Sequence, residues 1–389
     1  MWLFALTLAG VILAVDDDAI IERSLVSMGD TARLHAVMQK AKKGKPVTVA
    51  VLGGSITQGA MASKEEYRYG NRVAQWWRDT FPKSDITFVN AGIGATGSDI
   101  GAHRLKEHLL SKKPDFVVVE YGVNDLINPK FAETLEGVLR QILKQKNHPA
   151  VALLFMMDQA GNNVQEMQQP IGAHYSLPMV SFRDALWPEI QAGRIAWNDI
   201  EADAVHPNDR GHEYAAKFII HVLQEAADTF PDGGKHKKIA ALPAPKTANA
   251  FECTSMLNAN SLKPVQNNGW ETFADPDFNQ YFGAGWKSST PGSTLEFKVK
   301  GRVISVLFFR IKGAMGIAEA HVDDGPPIKM DAWFDQTWGG YTPLQLVACD
   351  LTPGKHRLKI RLLEEKNPNS EGYEFRIHAI MTAGVKNRD

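Results

Sequence analysis

Between residue 30 and about residue 230, the apolar residues of this chain fall into short unbroken runs, separated by stretches in which they return every three or four positions. The runs are "PVTVAVL", "DITFVN", "DFVVVEYG", "AVALLFMM" and "LPMVSF", each short and rich in β-branched residues, which suits strands. Continuous rather than alternating hydrophobicity predicts strands covered on both faces, hence a parallel sheet. The intervening "EEYRYGNRVAQWWRDTF", "GAHRLKEHLLSKK" and "FAETLEGVLRQILKQK" repeat apolar residues at helical spacing, and "GHEYAAKFIIHVLQEAADTF" closes the series as a last helix. Alternation of this kind predicts a three-layer α/β domain over residues 30–231, with ligands beyond the carboxyl ends of its strands.

The pattern changes after Phe230. "PDGGKHKKIAALPAPKTANA" packs glycine, lysine and proline with little periodicity, so residues 232–250 read as a linker. Beyond it, "STLEFKVKGRVISVLFFRI", "IAEAHVDDGPPIKMDAWF", "LQLVACDLTPGKHRLKIRLLE" and "GYEFRIHAIMTAG" read as strands broken by turn residues, with no long helix. Residues 251–389 are therefore expected to form a β-sandwich of jelly-roll type. Neither a fixed-period repeat nor a low-complexity tract interrupts either half.

Composition changes this picture little. A chain of 389 residues with 44% hydrophobic and 22% charged content has room for two domains and a sizeable core. A net charge of -1, with no long single-sign run, disfavours nucleic acid and anionic membrane as partners. Residues 1–15, "MWLFALTLAGVILAV", form an apolar run that stops at Asp16-Asp17-Asp18. That length suits a signal peptide better than a membrane span of ~20 residues, so a secreted or periplasmic protein is expected. No Lys or Arg precedes the run, which leaves an uncleaved N-terminal anchor open. Cys253 and Cys349 could pair in an exported protein or remain two thiols.

The candidate chemistry begins where the run "VAVLGGS" gives up its side chains at Gly53-Gly54 and presents Ser55, as a sharp strand-to-helix turn does when it exposes one hydroxyl at the lip of a sheet. Three later punctuations fall where a parallel sheet would deliver them to the same edge: "FVNAGIGATGSD", "VEYGVNDL" and, before the last helix, "DAVHPNDRGH". A serine hydroxyl needs a base within hydrogen-bond reach and a carboxylate to fix that base's tautomer, and these blocks contain both residue types.

Gly-x-Ser, Asn-x-Gly-x-Gly, Gly-x-Asn-Asp and Asp-x-x-His, in that order across residues 46–230, resemble the blocks of the SGNH (GDSL-type) hydrolases. The resemblance implies a flavodoxin-like three-layer domain and a serine esterase working through an acyl-Ser55 intermediate, with His206 as general base and Asp203 orienting it. It also implies an oxyanion hole built from the Ser55 N–H, the Asn124 side chain and an N–H of the second block. The family's count from Asn90 lands on Ala95, with Gly94 just before it. Two departures stand out: alanine at the place of the family's glycine, and Gly54 where many relatives carry Asp. Asn90 is expected to hold the blocks together and Asp125 to tie the third turn to the first. No metal or organic cofactor is implied.

The blocks "GGSIT" and "NAGIG" are similar to those of bacterial carbohydrate esterases that deacetylate xylan or mannan, some with an appended carbohydrate-binding β domain. The expected partner is thus an acetylated polysaccharide or oligosaccharide. Trp270, Trp286, Trp333 and Trp338 are candidates for sugar stacking, with Trp333 and Trp338, in "DAWFDQTWGGYTPL", foremost. The alternatives are a lipase or thioesterase acting on acyl chains, and a non-catalytic carbohydrate-binding protein. His212 reads as a packing or capping residue, and His103, His108 and His174 lack companions at metal-ligand spacing. Trp76-Trp77 read as core, and "DDGPP" at 323–327 as a turn rather than a calcium loop.

Overall fold

Each of the five apolar runs is a strand. In the computed structural model, which describes residues 16–231 and 238–385, the first sheet contains β1 (Leu25–Ser27), β2 (Val47–Gly53), β3 (Ile86–Gly92), β4 (Phe116–Glu120), β5 (Ala150–Phe155) and β6 (Met179–Ser181). Their order is β1-β6-β5-β4-β2-β3. Strands β2 to β6 pair in parallel. The short β1 adds an antiparallel edge on β6, so the sheet is mixed rather than wholly parallel. Three residues are too few to give a periodicity, which is why this strand has no sequence signature. The apolar run at 1–15 lies outside the described residues.

The helices are α1 (Asp17–Arg23), α2 (Ala32–Lys42), α3 (Ser55–Gln58), α4 (Tyr69–Thr80), α5 (Ser98–His108), α6 (Pro129–Leu143), α7 (Gln165–His174), α8 (Phe182–Gln191), α9 (Trp197–Ile200) and α10 (Asp209–Asp228). Alternate residues of the central strands face two separate cores. Val49, Val51 and Phe116 pack with Trp77 of α4 and Phe218 of α10, and Trp76 covers the same cluster. Leu52, Val117 and Val119 pack with Leu105 of α5 and Leu139 of α6. Helices on both faces explain the continuous apolar runs.

The second half forms β7 (Thr254–Leu257), β8 (Gln266–Asn268), β9 (Glu271–Phe273), the single helical turn α11 (Asn279–Phe282), β10 (Gly285–Ser288), β11 (Thr294–Gly301), β12 (Val303–Phe308), β13 (Ile317–Val322), β14 (Ile328–Asp331), β15 (Leu344–Ala348), β16 (Gly354–Leu362) and β17 (Phe375–Ala383). Two antiparallel sheets result, one ordered β15-β12-β17-β10-β9 with β7 also on β17, the other β14-β13-β16-β11-β8. Phe297, Ile304, Val306, Leu358, Ile360, Phe375 and Ile377 fill the space between them. β16 alternates buried and exposed residues, as a half-covered strand should. β12 is buried throughout and β17 nearly so, because their second faces pack on the α/β domain: Leu307, Ala379 and Met381 meet Ile93 and Ile100.

The structure corrects two of these expectations, the linker and two of the candidate tryptophans, and answers others. The stretch read as a linker is docked on α6 from Pro243 onward. Arg140 Nη1 donates to Pro243 O, Glu136 accepts the N–H groups of Lys246 and Thr247, and Glu133 accepts that of Ala250. Trp270 and Trp286 are only 5% and 1% exposed within the sandwich core, so neither can offer a ring face to a sugar. No disulfide joins Cys253 to Cys349. The "DDGPP" stretch is a turn, in which the Gly325 N–H donates to Val322 O and Asp323 pairs with His356. Among the described residues, no helix is long and apolar enough to cross a membrane.

Candidate active site

The parallel register sets Gly53 of β2 beside Gly92 of β3 and Glu120 of β4. The chain therefore leaves all three strands at one edge of the sheet, and the order β4-β2-β3 brings the first three blocks together there. After Gly53 the chain turns through Gly54 directly into the one-turn helix α3, whose first residue is Ser55. Space dictates both glycines. A Cβ on Gly53 would stand 2.2 Å from Thr57 Oγ1 and 2.4 Å from Glu120 O, and one on Gly54 would stand 2.2 Å from Asn124 Oδ1. The Asn124 carboxamide lies where a side chain at 54 would be, so a Cβ there would displace it.

The fourth block arrives in the loop between α9 and α10. Asp203 Oδ1 accepts the backbone N–H groups of Val205 and His206, both at 2.8 Å, closing a tight turn that brings the two side chains together. Asn208, not Asp203, caps α10 by accepting from Arg210 N and Gly211 N. His206 Nδ1 lies 2.7 Å from Asp203 Oδ2, and His206 Nε2 lies 2.8 Å from Ser55 Oγ. A carboxylate can only accept, so the ring proton sits on Nδ1 and Nε2 is left to accept from the serine hydroxyl. Burial opposes the charge on Asp203, but the hydrogen bonds from the His206 ring and the two N–H groups outweigh it and hold its pKa below the usual carboxylate range.

Around Ser55 the backbone is held from beneath. Arg104, fully buried, donates to Ala91 O at 2.7 Å and Gly53 O at 3.0 Å, clamping the ends of β3 and β2. Asn90 Nδ2 donates to Thr57 O, and its Oδ1 accepts from Gly92 N, joining the second block to the first. Asp125 departs from expectation: it accepts from Ser98 N and Gln168 Nε2, tying the third turn to the starts of α5 and α7 rather than to the first block. Behind α3, Glu120 accepts from the Thr57 hydroxyl and Gly122 N. Burial pushes its pKa up to about 7.

Of the expected oxyanion donors, the Gly94 N–H is engaged, donating to Gln58 Oε1 at 3.0 Å. Ala95 is exposed, and its N–H has no partner among the described residues. Its φ of 55° is a left-handed conformation in which the methyl is strained, the physical reason for the family's glycine there. Asn124 makes no side-chain hydrogen bond, and its Oδ1 is buried. Trp338 is 59% exposed beside Phe334 and Tyr341, whereas Trp333 is half-buried against the sandwich core. His212 packs behind the site, stacked on Tyr69 with Nε2 donating to Ala60 O. Among the described residues, no cluster of three or more His, Cys, Asp or Glu is placed to hold a metal.

Sequence reasoning missed several neighbours. Trp197 Nε1 donates to Asp203 O at 2.7 Å. Glu201 is 1% exposed with both carboxyl oxygens unpartnered. Burial, reinforced by the negative charge of Asp203, raises its pKa to about 9, so it is neutral where Asp203 is charged. Gln58, Arg104 and Tyr281 were also overlooked. None belongs to a block, and an isolated charged or amide residue carries no local signal of being buried.

Residues 51–214 match the model of the GDSL-like Lipase/Acylhydrolase family. The chain is similar over both halves to the crystal structure of a two-domain esterase (CEX) active on acetylated mannans, co-crystallized with mannopentaose. The two are 35% identical with a TM-score of 0.85, covering 95% of this chain and 99% of the other. It is 26% identical over 181 residues to the Thioesterase 1/protease 1/lysophospholipase L1 of Escherichia coli (strain K12), covering 46% of this chain and 83% of that protein. It is 24% identical over 167 residues to an acetylxylan esterase of Geobacillus stearothermophilus, covering 36% of this chain and 73% of that protein. The chain belongs to the GDSL-like lipase/acylhydrolase family. It is a carboxylic ester hydrolase, with an α/β domain followed by an antiparallel β-sandwich.

Proposed function

We propose that this chain removes O-acetyl groups from plant polysaccharide, acetylated mannan ahead of acetylated xylan, through an acetyl-Ser55 intermediate. The observation that carries the reading is the hydrogen-bonded series Asp203, His206, Ser55 at the carboxyl edge of the sheet. The substrate class is supported by the similarity, across both halves, to the esterase active on acetylated mannans. In this reading Ser55 Oγ attacks the acetyl carbonyl as its proton passes to His206 Nε2, and Asp203 stabilises the resulting imidazolium. The N–H groups of Ser55 and Ala95 and the Asn124 amide face the developing oxyanion. His206 then protonates the departing sugar hydroxyl. Finally it takes a proton from water as that water attacks the acetyl-Ser55 ester, and returns that proton to Ser55 Oγ as acetate leaves.

Acetate release from acetylated mannan, acetylated xylan and p-nitrophenyl esters of increasing chain length tests the proposal. The reading expects mannan to be the best polymer and acetate the best acyl group, with Ser55→Ala abolishing release from all. Preference for long acyl chains would instead favour a lipase or thioesterase. That second reading draws on the Escherichia coli relative and on Leu126 and Ile127, 63% and 84% exposed just after Asn124. The proposal includes export, with residues 1–15 as signal; N-terminal sequencing of protein from the native host should begin near Asp16.

A further inference from the structure

The oxyanion loop is held from the other domain. Its root, Ile93, is buried in a cluster with Ile100 of α5, Phe282 of α11, Leu307 of β12 and Ala379 and Met381 of β17. Its next residue, Gly94, lies against the nucleophile: a Cβ there would stand 3.9 Å from Ser55 Cβ and 3.2 Å from Gln58 Oε1. The Gly94 N–H can only donate, so the carbonyl oxygen of Gln58 must face it, and the Gln58 NH2 is turned the other way. There it donates to the hydroxyl of Tyr281, on α11, at 3.4 Å.

Tyr281 is reached by a second route. Its carbonyl accepts from His108 Nε2 at 2.8 Å, and that ring's Nδ1 accepts from Arg104 Nη1 at 3.5 Å. Burial, then the adjacent Arg104 charge, lowers the His108 pKa to about 4, so the ring is neutral and donates from one nitrogen while accepting at the other. Arg104 is the residue that clamps the carbonyls of Gly53 and Ala91. One residue of the β-sandwich domain thus connects by its side chain to the oxyanion loop and by its backbone to the ends of β2 and β3.

We propose that the β-sandwich domain sets the position of the oxyanion loop 93–95 through Tyr281 and Gln58, and that these two are positioning residues for ester hydrolysis. The proposal rests on the reading of Ser55 and Ala95 given above. By occupying the Gly94 N–H, Gln58 fixes the Ile93–Gly94 peptide plane, one peptide before the one that carries the Ala95 N–H, and so narrows the directions that donor can take. Misaiming a donor costs less than removing it, and removal costs about 10²–10³ in kcat.

The test uses the full chain with p-nitrophenyl acetate, an ester too small to need a polymer-binding surface. Initial rates are separated into kcat and KM, and thermal melts report folding. Gln58→Ala should lower kcat about tenfold with KM little changed, since the loss acts on the transition state. Gln58→Glu, which keeps an acceptor for the Gly94 N–H and offers one to the Tyr281 hydroxyl, should recover kcat to within about threefold of the parent. Tyr281→Phe, which removes one oxygen from a half-buried ring, should fall between the two. Folded Gln58→Ala and Tyr281→Phe proteins with kcat within twofold of the parent would overturn the proposal. So would a loss that Gln58→Glu does not restore, which would mark a packing role. Should Gln58→Ala fail to fold, Tyr281→Phe decides alone, an unchanged kcat counting against. Ser55→Ala is assayed alongside: activity surviving there overturns the site reading and this proposal with it, whereas an inactive Ser55→Ala beside an unaffected Gln58→Ala overturns this proposal only.

Discussion

Adding a single methyl group at Gly54 should disable the site through Asn124. An alanine Cβ there would stand 2.2 Å from Asn124 Oδ1, 2.8 Å from its Cγ and 3.1 Å from its Nδ2. Ordinary separation between such atoms is ~3.5 Å, so the carboxamide or the elbow must retreat by roughly 1 Å. Overpacking of this kind typically costs about 1–3 kcal/mol in stability, which a protein of this size can survive. Catalysis is less tolerant: a displacement of ~1 Å can cost about 10²-fold in rate, and complete loss of one oxyanion donor about 10²–10³. Gly54→Ala should therefore lower kcat on p-nitrophenyl acetate about 10²-fold, with Asn124→Ala equal or worse. In the double variant the truncated residue 124 makes room for the new methyl, so kcat should fall no further than in Asn124→Ala alone, and Tm should exceed that of Gly54→Ala. Gly54→Ala turning over within threefold of the parent would refute the reasoning. Losses that multiply in the double variant would show that the methyl acts on something other than Asn124.

Three further outcomes are expected. Glu201 holds its proton in the folded chain up to about pH 9, whereas its ordinary value is 4.5, so its contribution to stability is complete below pH 4.5 and is lost as the pH rises toward 9. Glu201→Gln should flatten the decline of Tm between pH 5 and pH 9, and an unchanged slope would show that Glu201 is already ionised in the folded state. Ala95→Gly removes a methyl held at a φ of 55°, and urea unfolding should report about 1 kcal/mol of added stability with kcat within a few-fold; destabilisation would contradict the strain argument. Trp338→Ala should raise KM on acetylated mannan about three- to tenfold more than on p-nitrophenyl acetate, the scale of one aromatic contact, and equal effects on both would remove Trp338 from the polymer site.

The α/β architecture was legible because helices on both faces of the sheet leave each central strand a continuous apolar run, and the four blocks were legible because each ends a strand or precedes a helix. Ser55, Asp203 and His206 meet because a parallel sheet delivers its carboxyl ends to one edge, something topology alone guarantees. The antiparallel β1 left no trace, its three residues covering barely more than one two-residue period of alternation. Burial of a lone polar residue was equally invisible. Arg104 and Glu201 look like surface charges in sequence, and only the strand carbonyls packed over the first and the tight 203–206 turn beside the second reveal their surroundings. Trp270 and Trp286 show the converse, since an aromatic ring in a β domain is as readily core as platform and local sequence does not separate the two. The contact between domains was the least readable. The apolar second faces of β12 and β17 look, in sequence, like any well-buried strand, and what covers them is fixed only when α5 packs against them.

The central claim is that Ser55 is the nucleophile, and labelling with a fluorophosphonate tests it most directly. Protein inactivated to increasing extents is digested and the modified peptide identified by mass spectrometry, while acetate release is followed on the same samples. The account predicts one label per chain, on Ser55, with occupancy equal to the fraction of activity lost and no labelling in Ser55→Ala. Loss of activity with the label on another residue, or full activity with Ser55 blocked, would contradict it.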